Sequence, residues 1–306
     1  VDLVIPYWHI VSDEQDMPHV TGLGRRFRNI RQFKADLKFF LEHYSPVTEQ
    51  DIIGHLHEGR ALPKRAVLLT FDDGFRENRE VIAPILEALG APAVFFVTTA
   101  SIDNKHLCYT QKKSLLIDKL GRDKSTATLK EANQALSLEG VPANPHLASR
   151  ILAVSYRQRG VLDGLAEILQ CDFQGYLESR RPYLSSQQIR ELLRKGFSVG
   201  AHSIDHPLYA ELSLQEQLLQ TRESLRWLST QFRIECQSFA FPYHTNGVSL
   251  DFFRTIFDEG IVKACFGTAG LIPHPFRYTL PRFTPELSDA SAYETLCRVF
   301  SRRLMN

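Results

Sequence analysis

Apolar residues follow two periods along this chain. Continuous runs occur at 1–8 ("VDLVIPYW"), 66–71 ("AVLLTF"), 92–98 ("PAVFFVT"), 197–202 ("FSVGAH"), 237–243 ("QSFAFPY") and 263–267 ("KACFG"). The run at 66–71, apolar without alternation, predicts a strand covered on both faces, as in a parallel sheet, and the others also read as strands. Between them the period lengthens to that of a helix. "RQFKADLKFFLEHY" sets Phe33, Leu37, Phe40, Leu41 and Tyr44 on one face. "ENREVIAPILEALG" and "SSQQIRELLRKG" are helices stopped by Gly90 and Gly196, residues suited to a left-handed cap. "SLQEQLLQTRESLRWLSTQ" and "LDFFRTIFDEG" are two more helices. Strand, helix and strand joined by short links make the βαβ unit of an α/β fold. The polar stretch from His9 to about Asn29 reads as a loop.

From about 100 to 185 the strand signal disappears. "KKSLLIDKL", "TLKEANQAL", "HLASRILAVSYRQ" and "LDGLAEILQ" all read as helical. No Gly/Ser/Pro-rich linker borders the region. The expectation is one domain over residues 1–306 carrying a helical insertion.

Composition narrows the function more than the fold. The 306 residues hold 36 Lys+Arg against 35 Asp+Glu, which leaves no basic footprint for nucleic acid or a membrane surface. No apolar run is long enough for a membrane-spanning helix. The five cysteines lack any CxxC spacing, which argues against a cysteine zinc site, and their odd number argues against a disulfide framework. Buried free thiols are expected. No signal peptide is visible, although the chain opens with Val1, and a removed leader stays open.

Four predicted strands end in reactive residues. The first runs to His9, the second to Asp72 and Asp73 in "LTFDDGF", another to His202 and His206 in "GAHSIDHP", and another to Pro242, Tyr243 and His244 in "FAFPYHTNG". Active sites of parallel α/β folds lie at this edge. "DDG" alone is equally a turn, and two histidines alone are equally a cap and a core residue. Together they offer two imidazoles and a carboxylate, the ligand count of a catalytic zinc site with an open position. The same set also serves non-haem iron oxygenases. The acid lies far upstream on another strand, which favours hydrolysis. Adjacent side chains of extended chain point apart, so one Asp can hold a metal while the other takes a proton from water.

"LTFDDGF", "GAHSIDHP" and "FAFPYHTNG", in this order, resemble the first three motifs of the polysaccharide deacetylases, family 4 of the carbohydrate esterases. The resemblance covers residues 66–100 and 180–285. It implies a deformed (β/α) barrel of seven or eight strands and one divalent metal, zinc foremost, with cobalt, nickel or iron as alternatives. It implies that Asp73, His202 and His206 hold that metal, that Asp72 is the general base, and that Pro242 and Tyr243 mark the oxyanion motif. The Arg that usually opens the third motif is absent, as is the late motif that supplies the acid histidine. Both departures resemble the poly-N-acetylglucosamine deacetylase branch. There the acid histidine follows a Tyr near the start, and "IPYWHIVSDE" is similar, with Trp8 at the Tyr position. His9 is therefore expected as the general acid. "LPRFTPE" resembles a late segment of the same branch and makes Arg282 the expected partner of Asp72. His244 and His274 compete for the acid role, and Asp205 is expected either beside a ligand histidine or in a local turn.

The function implied is removal of N-acetyl groups from an aminosugar polymer, with a carbohydrate as substrate. The alternatives are hydrolysis of another C–N amide (a cyclic imide, a ureide or a lipid-linked sugar) and a catalytically silent carbohydrate-binding protein. A polymer substrate suggests the cell envelope, whereas free thiols suggest the cytoplasm.

Overall fold

Residues 2–24, 26–121, 125–286 and 288–305 are described by the computed structural model. They divide into two compact units, the first comprising 1–13, 27–103 and 183–306 and the second 14–26 and 104–182.

The first unit is built on short parallel strands: β1 (Leu3–Val4), β2 (Tyr7–Trp8), β3 (Ser45–Pro46), β4 (Ala66–Val67), β5 (Leu69–Phe71), β6 (Ala93–Val97), β7 (Ser198–Ala201), β8 (Ser238–Ala240), β9 (Ala264–Phe266) and β10 (Thr279–Leu280). Among the described residues seven of them form one sheet in the order β10-β9-β8-β7-β6-β5-β2, and β1, β4 and β3 form a second. Every pairing is parallel. The outer edges of the large sheet also meet. Pro6 bridges Phe283, the Tyr7 N–H donates to the Phe283 carbonyl at 2.9 Å, and the Phe283 N–H donates to Ile5 at 3.2 Å. The sheet thereby curls into a deformed (β/α) barrel.

Alternation along β6 shows the two sides of that sheet. Val94 and Phe96 join Ile5, Leu68, Ala240, Ala264 and Phe266 in an inner cluster. Phe95 and Val97 join the helix-facing core with Phe33, Leu37, Phe71, Leu192 and Leu225. Phe96 meets Phe266 of β9 at 5.1 Å across two intervening strands. Gly200 on β7 makes room for this contact, since a Cβ there would lie 2.4 Å from the Phe96 ring. Burying each such aromatic stabilises the fold by about 1.5–3 kcal/mol.

Side chains cap several of the helices. Asn29 and Gln32 form a reciprocal capping box for the helix Ile30–His43, and Ser213 and Glu216 do so for Leu214–Phe232. The helix after β5 opens with a π turn, Asn78–Ile82, and becomes regular at Ala83–Leu89. Pro84 has no N–H to give and its ring crowds the preceding turn, which explains the local widening.

The second unit is helical: Pro18–Thr21, Tyr109–Leu120, Thr126–Leu138, Leu147–Ala153, Val161–Leu169 and Phe173–Arg180. Buried Arg150 stitches it by donating to the Asn133 and Val141 carbonyls at 2.7 and 3.1 Å. Lys113 Nζ donates to the Leu152 and Val154 carbonyls at 3.2 and 3.1 Å. The polar stretch predicted as loop therefore contains a helical turn, and His19 within it pairs with the Tyr176 hydroxyl at 2.7 Å.

No cysteine among the described residues is bonded to another. Cys108, Cys236 and Cys265 are buried, but Cys171 is half-buried and Cys297 is exposed, so the expectation of buried thiols fails at those two. Cys297 sits on the outer face of the terminal helix Ala292–Met305. No described helix is long and apolar enough to cross a membrane.

Candidate active site

The end of β5 changes direction between two neighbouring acids. Asp72 still belongs to the ladder, its N–H donating to Trp8 at 2.9 Å. Asp73 and Gly74 then adopt φ of 69° and 72°. The left-handed conformation costs an L-residue roughly 1–2 kcal/mol, and Asp tolerates it better than most. At position 74 the cost is avoided by Gly, and a Cβ would also press on Val97 at 3.1 Å. This turn sends the two carboxylates to different partners.

Asp72 faces Arg282, two residues beyond β10. Nη1 and Nη2 of Arg282 each donate to one carboxylate oxygen at 2.7 Å. The guanidinium also donates to the Gly267 carbonyl at 3.1 Å and to Thr70 Oγ1 at 3.2 Å. It lies over the rings of Tyr7 and Phe96, at 4.7 and 5.4 Å. Burial acts to raise the Asp72 pKa, but the charge and hydrogen bonds of Arg282, with the charges of His202 and His9, hold it below the usual carboxylate range. Asp72 is thus an ionised acceptor at neutral pH.

Asp73 faces the two imidazoles. Its Oδ1 lies 3.3 Å from His202 Nε2 and 3.1 Å from His206 Nε2. The histidine loop has φ of 68° at Ser203 and 64° at His206, and the Ser203 hydroxyl accepts the His206 N–H at 3.0 Å. His202 Nδ1 is 2.8 Å from the Ala240 carbonyl. A carbonyl only accepts, so Nδ1 carries a proton, and Nε2 is the nitrogen turned towards Asp73. Both Asp73 oxygens are buried, and neither accepts a well-formed hydrogen bond among the described residues. Burial would raise the Asp73 pKa, yet the neighbouring His206, His202 and His9 hold it well below the usual range. A buried anion without donors is costly. One carboxylate and two imidazole nitrogens within 4.8 Å of one another are a donor set suited to a divalent cation.

His9 follows β2 and is 30% exposed, so it remains reachable. Its Nδ1 lies 2.7 Å from Glu286 Oε2, while its N–H donates to Glu286 Oε1 at 2.9 Å. Burial would lower its pKa, but the charge and hydrogen bond of Glu286, together with the charges of Asp73 and Asp72, outweigh it and raise it above 6.5. Glu286 carries no motif of its own in the sequence. Its only signal is its place at the end of "LPRFTPE", four residues after Arg282.

Tyr243, after Pro242, has φ of 58° and packs its ring edge-on to His206 at 4.9 Å. The Thr268 hydroxyl donates to its carbonyl at 2.6 Å. His244 has a buried Nδ1 with no hydrogen-bond partner among the described residues. His274 packs on Phe253 at 4.5 Å and accepts the Phe276 N–H at 3.2 Å, with burial lowering its pKa. It thus sits among phenylalanines. Asp205 accepts from Gln220 Nε2 at 2.7 Å, and the nitrogen that orients His202 is held by the Ala240 carbonyl instead.

The poly-beta-1,6-N-acetyl-D-glucosamine N-deacetylase of Escherichia coli K12 is 32% identical over 99 residues, which is 31% of this chain and 14% of that protein. The chain thus matches a small part of that relative's length. Two solved structures share the fold: the Streptococcus pyogenes deacetylase PplD in complex with acetate (TM-score 0.61, 16% identity, 98% of each chain) and IcaB from Ammonifex degensii (TM-score 0.58, 16% identity, 97% of each chain). The profile of the polysaccharide deacetylases matches residues 59–250, which contain both acids, both imidazoles and the Tyr243 turn. With that match over more than half of its length, the chain belongs to the polysaccharide deacetylase family.

Proposed function

We propose that this protein is a metal-dependent hydrolase that removes N-acetyl groups from an aminosugar polymer and releases acetate. One observation carries the reading: an ionised acid, Asp72, is locked by Arg282 beside a buried Asp73–His202–His206 donor set. The E. coli relative's named substrate supports a β-linked N-acetylglucosamine polymer.

A divalent cation, zinc foremost, held by Asp73, His202 and His206 would supply Lewis acidity for water and for the acetyl carbonyl. Asp72 takes the proton of the attacking water, and Arg282 keeps its lone pairs aimed by occupying a fixed side of the carboxylate. The Tyr243 N–H donates to the developing oxyanion. Because His9 Nδ1 is committed to Glu286, Nε2 is the atom that gives its proton to the departing amine. The charge of Glu286 steadies the protonated imidazole until then.

The test is acetate release from β-linked N-acetylglucosamine oligomers, with added zinc or cobalt and with chelator, beside Asp72→Asn. Metal-dependent release that disappears in the variant is the expected outcome. Absence of release in a protein that binds metal would sink the sugar assignment and turn attention to another amide.

A further inference from the structure

Two chain segments meet at the His9–Glu286 pair, one continuing from His9 to Ser12 and the other carrying Glu286, Ser288 and Ala290, and a single buried residue grips both, the first with its backbone and the second with its side chain. Arg28 is only 3% exposed. Its backbone bridges Val11, and its carbonyl accepts the Ser12 N–H at 3.0 Å. Its guanidinium reaches the other segment, with Nη1 donating to the Ser288 carbonyl at 3.1 Å and Nη2 to the Ala290 carbonyl at 2.6 Å. Nε donates to Asp36 Oδ2 at 2.8 Å, and Asp36 Oδ1 accepts the Ala292 N–H at 3.1 Å. Arg28 therefore ties the segment that carries Glu286, held by its planar fork, to the segment that carries His9, held by its backbone.

We infer that Arg28 and Asp36 are positioning residues for the catalytic acid, holding Glu286 and thereby the aim of His9 Nε2. The inference rests on the reading of His9 as that acid. Among the described residues, the side chains of Arg28 and Asp36 hydrogen-bond Ser288, Ala290, Ala292 and each other and not the metal-type donor set or Asp72. A flexible ammonium cannot reproduce three donors in one plane, and small misplacements of a catalytic group cost large factors in rate.

Arg28→Lys, Asp36→Asn and His9→Ala would each be loaded with zinc and assayed in one sample on two substrates. One is an N-acetylglucosamine oligomer, whose amine must be protonated to leave. The other is 4-nitrophenyl acetate, whose leaving group departs unprotonated. The ratio of the two rates does not depend on the fraction folded or on metal loading. Arg28→Lys and Asp36→Asn are expected to lower kcat on the amide about tenfold, with KM and ester hydrolysis within about twofold of wild type. In the metal-free protein, the downfield ring N–H resonance of His9, assigned by its loss in His9→Ala, should shift upfield in Arg28→Lys. Parallel loss on both substrates, or no loss while His9→Ala lowers the ratio, would overturn the clamp. An unchanged ratio in His9→Ala would overturn the acid assignment itself.

Discussion

At the C-terminal ends of the strands Asp72 and Asp73 lie buried beside cationic groups; at the N-terminal ends of β7 and β8 Glu49 lies buried beside hydroxyls. Ser238 donates to Glu49 Oε1, and Ser198 also hydrogen-bonds it. Burial raises the Glu49 pKa above its ordinary value and the two serines only partly offset this. The same barrel thus pushes carboxyl pKa values down at one end and up at the other. Depth is common to both ends, so the difference comes from the partners. A hydroxyl can stabilise a carboxyl but cannot balance its charge, whereas a guanidinium does both.

The comparison breaks most sharply at Asp72. Asp72→Asn keeps the shape and removes the proposed base, so deacetylation should fall about 10²–10⁴-fold while metal content stays near wild type. Asp73→Ala should lose metal as well, read by elemental analysis after dialysis. If Asp72→Asn turns over normally, the ionised end is not the catalytic end.

A smaller but still large effect is expected on stability. Arg282→Met leaves Asp72 buried and unpaired, at a cost of about 3–5 kcal/mol in denaturant unfolding. The sign with pH follows from Asp72 and Asp73 having depressed pKa values in the fold. Their contribution is complete above the unfolded value of 3.8 and is lost as pH falls through the folded values.

Glu49 should behave oppositely. Its raised folded pKa means that the fold holds a proton which the unfolded chain has released above 4.5. Its contribution is full below 4.5 and declines as pH rises towards the folded value. Glu49→Gln should therefore flatten that decline and change neutral-pH stability by only about 1 kcal/mol. A steeper decline in the variant would remove the contrast between the two ends.

The subtlest effect concerns His9. A raised pKa keeps its proton to higher pH, so the falling limb of kcat/KM should lie above 6.5. Glu286→Gln removes the principal raising charge, and the limb should move down in pH with metal binding unchanged. A limb that stays in place would show that another group sets it.

What could be read in the sequence follows the same physics. The runs at 66–71, 93–97, 199–201 and 238–240 are buried on both faces, and such strands are predominantly apolar. Asp72, Asp73, His202 and His206 stand next to those strands, so local sequence displays them. Two-residue strands such as β3 and β10 carry no period to detect. The helix Phe173–Arg180 buries only Leu177 and shows no apolar face. Glu286 acts on a residue 277 positions away, and nothing in its own neighbourhood tells a reader where the chain will take it. The resemblance to a deacetylase motif suggested Arg282, although local pattern gave no reason to choose it over the other arginines.

The bridge between Pro6 and Phe283 that closes the barrel has a consequence during synthesis. Asp72 leaves the ribosome 210 residues before Arg282. At about 5–20 residues per second, that interval is roughly 10–40 s. Throughout it the acid has no guanidinium to face, and the nascent sheet has an open edge where residues 281–283 will later dock. On the proposed assignment, turnover therefore waits until the chain has emerged past Arg282, and a nascent chain that stops short of it cannot act on its substrate.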